Sequence, residues 1–142
     1  MLTQTTRIDE QRRATLICEE IEHGCNTFSR DLAGRQGRYA NVDMPVAERD
    51  RRGIPQGYSD PGASYTPEQV EKWHCAREQF MVERLIAEQQ DKHEATLFIC
   101  GRLHGERLAA ILRARGLEVA VIDLADQDWF SDSWEIDYPF LD

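Results

Sequence analysis

Residues 95–124, with the sequence ATLFICGRLHGERLAAILRARGLEVAVIDL, decide the fold of this chain. The run Thr96–Cys100 is apolar on both faces, as a buried parallel strand is. A helical pattern of leucine and isoleucine follows, and Gly116 stands where helices commonly end. The next apolar run is Glu118–Asp123. This order predicts a strand, a crossover helix and a second strand that is parallel to the first and adjacent to it.

The N-terminal half predicts further elements of the same kind. Thr15–Cys18 is a short apolar run typical of a buried strand, and Tyr39–Asp43 is a candidate second strand. Between them, Thr27–Ala33 predicts a short helix that stops at Gly34. We therefore predict one α/β domain over residues 1–142, with two or three layers and a mainly parallel sheet of about four strands.

A long amphipathic helix is predicted to begin at Thr66 and to run to about Gln89. Thr66 can cap the backbone, Pro67 suits the first helical position, and Gln69 completes a capping box. Arg77 projects from the middle of the apolar face of this helix. A buried guanidinium must find an acceptor, so we expect Arg77 to be paired with a carboxylate.

Two segments lack a regular pattern. Four of the five prolines fall between positions 45 and 67, so residues 44–65 are predicted to be an irregular loop over a cleft, with a helical turn after Pro45. Residues 125–142 combine six acidic residues with five aromatic ones. This tail is either an aromatic strap over the core or an acidic docking segment for another chain.

Composition narrows the classes of partner. The net charge is −9, and the one basic stripe is short (Arg49, Arg51 and Arg52), so we expect no nucleic-acid partner. No apolar run approaches the roughly 20 residues that span a bilayer, and the N-terminus has no apolar signal core, so no membrane partner is expected either. We predict a cytoplasmic protein whose cysteines are free thiols. These are Cys18, Cys25, Cys75 and Cys100.

Side chains suited to catalysis stand at the ends of predicted strands. Gly101 and His104 follow one strand, and Glu19 and Glu20 leave another. If both strands are parallel, their carboxyl ends meet, and alternation turns one glutamate into the cleft and the other away. We expect that glutamate to lie near His104 and to pair with Arg77. The alternative for His104 is a helix-start histidine that forms only local hydrogen bonds.

A divalent metal is a candidate cofactor. Its predicted ligands are Glu19, His23 and His104, because imidazole and carboxylate groups bind such ions. His74 and Glu78 are four residues apart on one helix edge, which suits either metal ligands or a surface pair. The chain has no HExxH motif, phosphate-binding loop, GxSxG elbow or GxGxxG fingerprint that would fix the chemistry.

Several of these residues fall into a pattern that resembles the C-terminal half of the TraB/GumN/Tiki-type domain and the related erythromycin-esterase/ChaN-like group. The pattern is Arg77-Glu78-x2-Met81, then Gly101-x2-His104, then Leu108-x3-Leu112-x3-Gly116-x2-Val119. The resemblance implies an α/β core with histidines and a glutamate at one cleft. Members include metal-dependent proteases, candidate hydrolases and haem-binding proteins.

The same resemblance implies roles for particular residues. His104 corresponds to the C-terminal site histidine with Arg77 beside it, and Glu19 or Glu20 corresponds to the family's acidic strand end. The family's first strand carries its own G-x2-H turn, and this chain has no counterpart before Arg7. The cleft is therefore one histidine short of the family's set.

These observations favour a hydrolase-like or small-ligand-binding domain, with or without a metal, acting on a small molecule or a peptide. In such a site His104 is a base or ligand, Glu19 or Glu20 a base or second ligand, and Arg77 an anion clamp. The alternative is a non-catalytic protein–protein interaction module or a homodimer formed through an exposed sheet edge.

Overall fold

A computed structural model of the chain describes residues 14–21 and 28–123. Over these residues the chain forms an α/β fold with a parallel sheet of three strands, which confirms the predicted fold class. The elements are β1 (Leu16–Glu19), α1 (Phe28–Gln36), β2 (Arg38–Asn41), α2 (Val46–Arg51), α3 (Pro67–Glu88), β3 (Thr96–Ile99) and α4 (Arg102–Ala114).

The sheet has the order β2-β1-β3, and both pairings are parallel. Glu19, the last residue of β1, stands opposite Asn41 of β2 and Ile99 of β3. The chain first moves from β1 to β2 on one side and later returns to place β3 on the other side of β1. The strand order therefore reverses at β1, and all three strands end at the same edge of the sheet.

The two faces of the sheet are covered by different helices. Leu16 and Cys18 face a core formed with α3 and α4. On the opposite face, Ser29 of α1 reaches Glu19. The main core consists of Leu16, Cys18, Ala40, Val42, Met81, Val82, Leu85, Leu108 and Leu112.

Helix α3 begins as predicted. The Thr66 side chain accepts from the Gln69 backbone, the Gln69 side chain accepts from the Thr66 backbone, and Pro67 is the first helical residue. At the end of α4, Gly116 has a φ of +86°, a conformation that favours glycine and matches its predicted role as a helix end.

The loop of residues 44–65 is packed against α3 rather than standing away from it. Met44, Ile54 and Tyr58 are all at most 3% exposed and form a second, smaller core. Partly buried side chains of α3 complete it, namely Val70, Trp73, Ala76 and Phe80. The helical turn expected after Pro45 is α2.

Residues 118–123 are not a strand, so the predicted pairing with β3 is wrong. This segment returns along α4, where Arg113 Nη2 donates to the Val119 carbonyl at 2.8 Å and Arg102 Nε donates to Asp123 at 2.7 Å. The Val119 carbonyl is thus bonded to a helix side chain and not to a neighbouring strand. Within the described residues, β3 pairs with β1 alone.

Helix α1 also differs from the prediction, because it continues through Gly34 and ends at Gln36. Gly34 does not have a positive φ, so nothing ends the helix there. The next residue, Gly37, lies against β1. A Cβ atom at Gly37 would stand 2.2 Å from the Thr15 carbonyl oxygen, and only glycine fits this contact.

Some of the remaining predictions concern described residues, and others concern residues outside the described ranges. Cys18, Cys75 and Cys100 are free thiols. His23, Cys25 and residues 125–142 lie outside the described residues. In the part of the chain that is described, no helix is both long enough and apolar enough to cross a membrane.

Candidate functional site

Polar side chains from five parts of the chain meet at the carboxyl edge of the sheet. Glu20 directly follows β1, Asp43 follows β2, and His104 lies in the first turn of α4, just after β3. Helix α3 and the loop before it supply the rest. We call the whole set the strand-end cluster, which comprises Glu20, Asp43, Tyr58, His74, Arg77, Glu78 and His104.

Arg77 is buried, with 9% of its surface exposed, and it is paired with carboxylates. Its Nη2 donates to both oxygens of Asp43, at 3.0 and 3.2 Å, and its Nη1 donates to the Tyr58 hydroxyl at 3.3 Å. Glu20 Oε1 is farther from Nη2, at 3.6 Å. Burial lowers the pKa of Arg77, but Tyr58 and Asp43 raise it by more. The expected carboxylate partner is therefore present, but it is chiefly Asp43.

Asp43 is itself held from several directions. Arg49 Nη2 donates to its Oδ2 at 2.7 Å, and the Met44 backbone N–H donates to its Oδ1 at 2.7 Å. Arg49 also reaches the Met44 carbonyl through Nε. With these bonds and those from Arg77, the Asp43 carboxylate is fully used and serves to fix Arg77 in place.

His104 is joined to Glu78 of α3. The distance between His104 Nδ1 and Glu78 Oε1 is 2.8 Å, and Glu78 is 2% exposed. The same oxygen accepts from Arg107 Nε at 2.8 Å. An ionised carboxylate beside a guanidinium can only accept, so the imidazole donates through Nδ1. In the neutral ring, Nε2 of His104 then carries no proton, and it faces Glu20 Oε1 at 3.7 Å.

Glu20 has hydrogen-bonding capacity to spare. Its Oε1 lies 3.6 Å from Arg77 and 3.7 Å from His104, and both distances exceed that of a hydrogen bond. Its Oε2 is buried and has no hydrogen-bond partner among the described residues, and the same holds for Arg77 Nε. Buried polar atoms are seldom left this way, so these two atoms need an explanation.

The neighbouring carboxylate, Glu19, points to the other face of the sheet, as alternation along a strand requires. Ser29 Oγ donates to its Oε1 at 3.2 Å, and the Tyr39 hydroxyl donates to its Oε2 at 2.9 Å. The structure therefore brings Glu20, and not Glu19, to His104 and Arg77.

His74 lies beside His104, with ring centroids 5.4 Å apart and planes at 76°. Its Nδ1 is 2.9 Å from the Tyr58 hydroxyl. The surface pair expected between His74 and Glu78 does not form, because Glu78 turns inward to His104 and Arg107. Burial is the chief cause that lowers the pKa of His74, and protonation of His104 would lower it further.

Other groups near the site are less suited to chemistry. Burial, with a smaller effect from the charge of Glu20, raises the pKa of the Cys100 thiol to about 11, so it is protonated at neutral pH and is a poor nucleophile. Over residues 14–21 and 28–123, no three His, Cys, Asp or Glu side chains are grouped to hold a metal ion. The metal set of Glu19, His23 and His104 stays a prediction, since His23 lies outside those ranges.

Four members of the cluster, Asp43, Tyr58, His74 and Glu78, are not among the predicted site residues. Asp43 ends a predicted strand just as Glu20 does, and that position was a usable signal. His74 was considered only for its spacing from Glu78. Tyr58 comes from the proline- and glycine-rich loop, where no periodicity indicates which side chain turns inward.

No family model, curated protein or solved structure matches this chain. The resemblance to the TraB/GumN/Tiki-type domain stays a prediction, and the function must be inferred from the strand-end cluster.

Proposed function

We propose that the strand-end cluster is a small-ligand site with hydrolase-like acid–base chemistry, in which His104 accepts the proton. The observation that carries this proposal is the position of Glu20 and His104. They follow β1 and β3, the two strands between which the strand order reverses. In open α/β sheets, ligands bind outside the carboxyl ends of the strands at this point of reversal.

The link between Glu78 and His104 supports a catalytic imidazole. A buried carboxylate on Nδ1 holds the ring in one orientation and in one tautomer, and it stabilises the charge that develops when Nε2 takes a proton. Here the carboxylate is Glu78, at 2.8 Å. His104 Nε2 is then the base, and Glu78 is a positioning residue.

Glu20 and His104 are spaced to share one water molecule. Their facing atoms are 3.7 Å apart, which allows a water oxygen to stand about 2.8 Å from each. Such a water can donate one proton toward His104 Nε2 and the other toward Glu20 Oε1. Attack on a bound ester or amide would then begin with proton transfer to His104.

Arg77 has a different role from the anion clamp that the sequence predicts. Both of its terminal nitrogens are already bonded, one to Asp43 and one to Tyr58. We therefore assign Arg77 to positioning, since its charge offsets that of Glu20 and its hydrogen bonds fix the loop over the sheet edge.

The experiment is a hydrolase screen with matched variants. Purified wild-type protein, His104→Gln and the control His93→Gln are assayed against 4-nitrophenyl esters, anilides and phosphoesters. His93 is an exposed histidine away from the cluster. We expect turnover of at least one substrate, with a loss of about 10²–10⁴-fold in His104→Gln only. Absence of turnover across the panel, or equal rates in His104→Gln and the wild type, contradicts the proposal.

A non-catalytic role in self-association is the second candidate, because β3 borders an exposed apolar surface. Leu103 is 78% exposed, and Ile99, Val121 and Ile122 are at least 36% exposed. Single apolar residues at a surface are common, but Ile99 ends the edge strand β3, Leu103 lies in the first turn of α4, and the other two follow α4, which favours contact with a second copy. Sedimentation of wild-type protein and Leu103→Glu tests it: a dimer that the substitution dissociates supports this role, and a wild-type monomer at high concentration contradicts it.

A further inference from the structure

A chain of hydrogen bonds fixes the protonation of His74. Arg77 has only donors and Asp43 only acceptors, so Arg77 is the donor in the hydrogen bond between them. Arg77 Nη1 also donates to the Tyr58 oxygen at 3.3 Å, and the Tyr58 proton is then directed to its other partner, His74 Nδ1, at 2.9 Å. His74 accepts at Nδ1, so its proton is on Nε2.

His104 is held in the opposite tautomer. Its Nδ1 donates to Glu78, so in the neutral ring Nε2 carries no proton. The two rings are in edge contact, at 5.4 Å, yet each is oriented by a separate network. Among the described residues, one neutral ring thus carries an unbonded acceptor and the other an unbonded donor. A neutral imidazole has a single N–H, and in His74 it is on Nε2 because Nδ1 accepts.

We propose that the two imidazoles act as a complementary pair on a carbonyl substrate, an ester or amide without negative charge, with His104 as the base and His74 Nε2–H as the hydrogen-bond donor to the carbonyl oxygen. This inference rests on the proposed function. In the first step a water oxygen forms a bond to the carbonyl carbon, its proton moves to His104 Nε2, and the oxyanion accepts from His74. In the second step the bond to the leaving group breaks, and the leaving group takes the proton from His104.

The charges of the cluster support this choice of substrate. It contains three carboxylates, those of Glu20, Asp43 and Glu78. Asp43 and Glu78 are bonded to arginine, whereas Glu20 has no arginine of the described residues within hydrogen-bond distance and only the longer contact with Arg77. An anionic ligand would therefore be repelled by the Glu20 carboxylate. A neutral ligand, or one that presents an N–H or O–H group, can instead supply the donor that Glu20 Oε2 lacks.

The first test reads the tautomers directly and needs no substrate. Long-range ¹H–¹⁵N spectra of histidine-labelled protein at pH 7.5, assigned with single His→Gln variants, distinguish the two neutral forms. We expect His74 to be protonated at Nε2 and His104 at Nδ1. In Tyr58→Phe, His74 should change to a mixture of tautomers while His104 keeps its form. Identical tautomers in the wild type, or no change at His74 in Tyr58→Phe, overturn the inference.

The second test is kinetic and uses a 4-nitrophenyl ester. His74→Phe removes the donor and should lower kcat by about 10²–10³-fold with little change in KM, as loss of one oxyanion donor does. His74→Gln keeps an N–H and should recover part of the rate, and His93→Gln should match the wild type. Wild-type kcat in His74→Phe contradicts the inference. Opposite tautomers without any ester turnover would count against the proposed function and leave the orientation of the rings established.

Discussion

His104 and Glu78 connect the helix that follows β3 to the long helix α3 through a buried hydrogen bond of 2.8 Å. Glu78 is 2% exposed and His104 7% exposed. Buried polar groups need hydrogen-bond partners. Glu78 accepts from His104 and also from Arg107 Nε, which is its second donor. The same bond that packs two helices together therefore sets the direction of the imidazole.

Removing this carboxylate should destabilise the protein. Glu78→Ala leaves the buried His104 N–H without an acceptor, and we expect a loss of about 2 kcal/mol in the free energy of unfolding. Glu83→Ala on the same helix is the control, because Glu83 is exposed and its pairing with Arg115 lies at the surface. The control should stay within about 1 kcal/mol of the wild type. Equal losses in the free energy of unfolding for Glu78→Ala and Glu83→Ala, measured by urea denaturation, would show that Glu78 is not the central partner of His104.

Arg77 should matter more than a surface arginine of the same helix. Arg77→Ala leaves the buried Asp43 with one cation fewer, and breaking a buried pair in this way costs about 3 kcal/mol. Arg84 pairs with Glu88 at the surface, with 48% of its side chain exposed, and Arg84→Ala should have little effect. Both variants can be compared by urea denaturation. A nearly neutral Arg77→Ala would contradict the assignment of Arg77 as a buried positioning residue.

Much of the fold could be predicted from local patterns. The capping box at Thr66 and the glycine after α4 have direct local causes, and the structure has both. The segment 118–123 could not be predicted in the same way. It has the pattern of a strand, but Arg113 of α4 bonds its Val119 carbonyl and Arg102 bonds its Asp123 side chain, and such contacts leave no local signal.

Part of the site could also be predicted, because it depends on the order and direction of the strands. The order of parallel strands predicts a glutamate near His104, and alternation predicts that only one of Glu19 and Glu20 faces the cleft, but the sequence does not show which of the two it is. Tyr58 depends on how residues 44–65 fold back on α3. That loop is fixed by three buried side chains rather than by a repeating pattern, so its contacts with Arg77 were not predictable.

Replacement by alanine should have opposite effects on stability at Gly37 and at Gly34, which are three residues apart. At Gly37 an added Cβ would stand 2.2 Å from the Thr15 carbonyl oxygen, so Gly37→Ala should lower stability by about 1–3 kcal/mol. At Gly34, inside α1, nothing lies within 4 Å, so Gly34→Ala should raise stability by up to about 1 kcal/mol. Thermal unfolding of both variants tests this. A tolerated Gly37→Ala would contradict the close approach of α1 and β1.

His74 should make the protein sensitive to mild acid. Its pKa in the folded protein lies below the ordinary value of 6.5, chiefly because of burial. As the pH falls through 6.5, His74 binds a proton in the unfolded chain but stays unprotonated in the folded protein. The free energy of unfolding therefore decreases. His74→Gln removes this effect, and the stability advantage of the wild type over the variant should shrink between pH 7.5 and pH 5. If the difference in the free energy of unfolding between the two proteins is the same at both pH values, burial does not lower the pKa of His74.

The central claim is that the Glu20 carboxylate is kept for a ligand and not for the fold. Glu19 and Glu20 are adjacent in sequence and offer a matched comparison. Glu19 accepts two hydrogen bonds, from Ser29 and Tyr39, whereas Glu20 Oε2 has no partner among the described residues. Replacing a structural carboxylate leaves its donors unpaired, whereas Glu20 receives no hydrogen bond from a described residue that its replacement would break.

The most direct measurement is therefore the free energy of unfolding of Glu20→Met and Glu19→Met in urea, beside the wild type. We predict that Glu20→Met is as stable as the wild type, or more stable by about 1 kcal/mol or more, because Arg77 keeps Asp43 and Tyr58. Glu19→Met should lose about 2 kcal/mol. A loss in Glu20→Met as large as that in Glu19→Met would show that Glu20 holds the fold together, and it would contradict the assignment of this edge of the sheet as a ligand site.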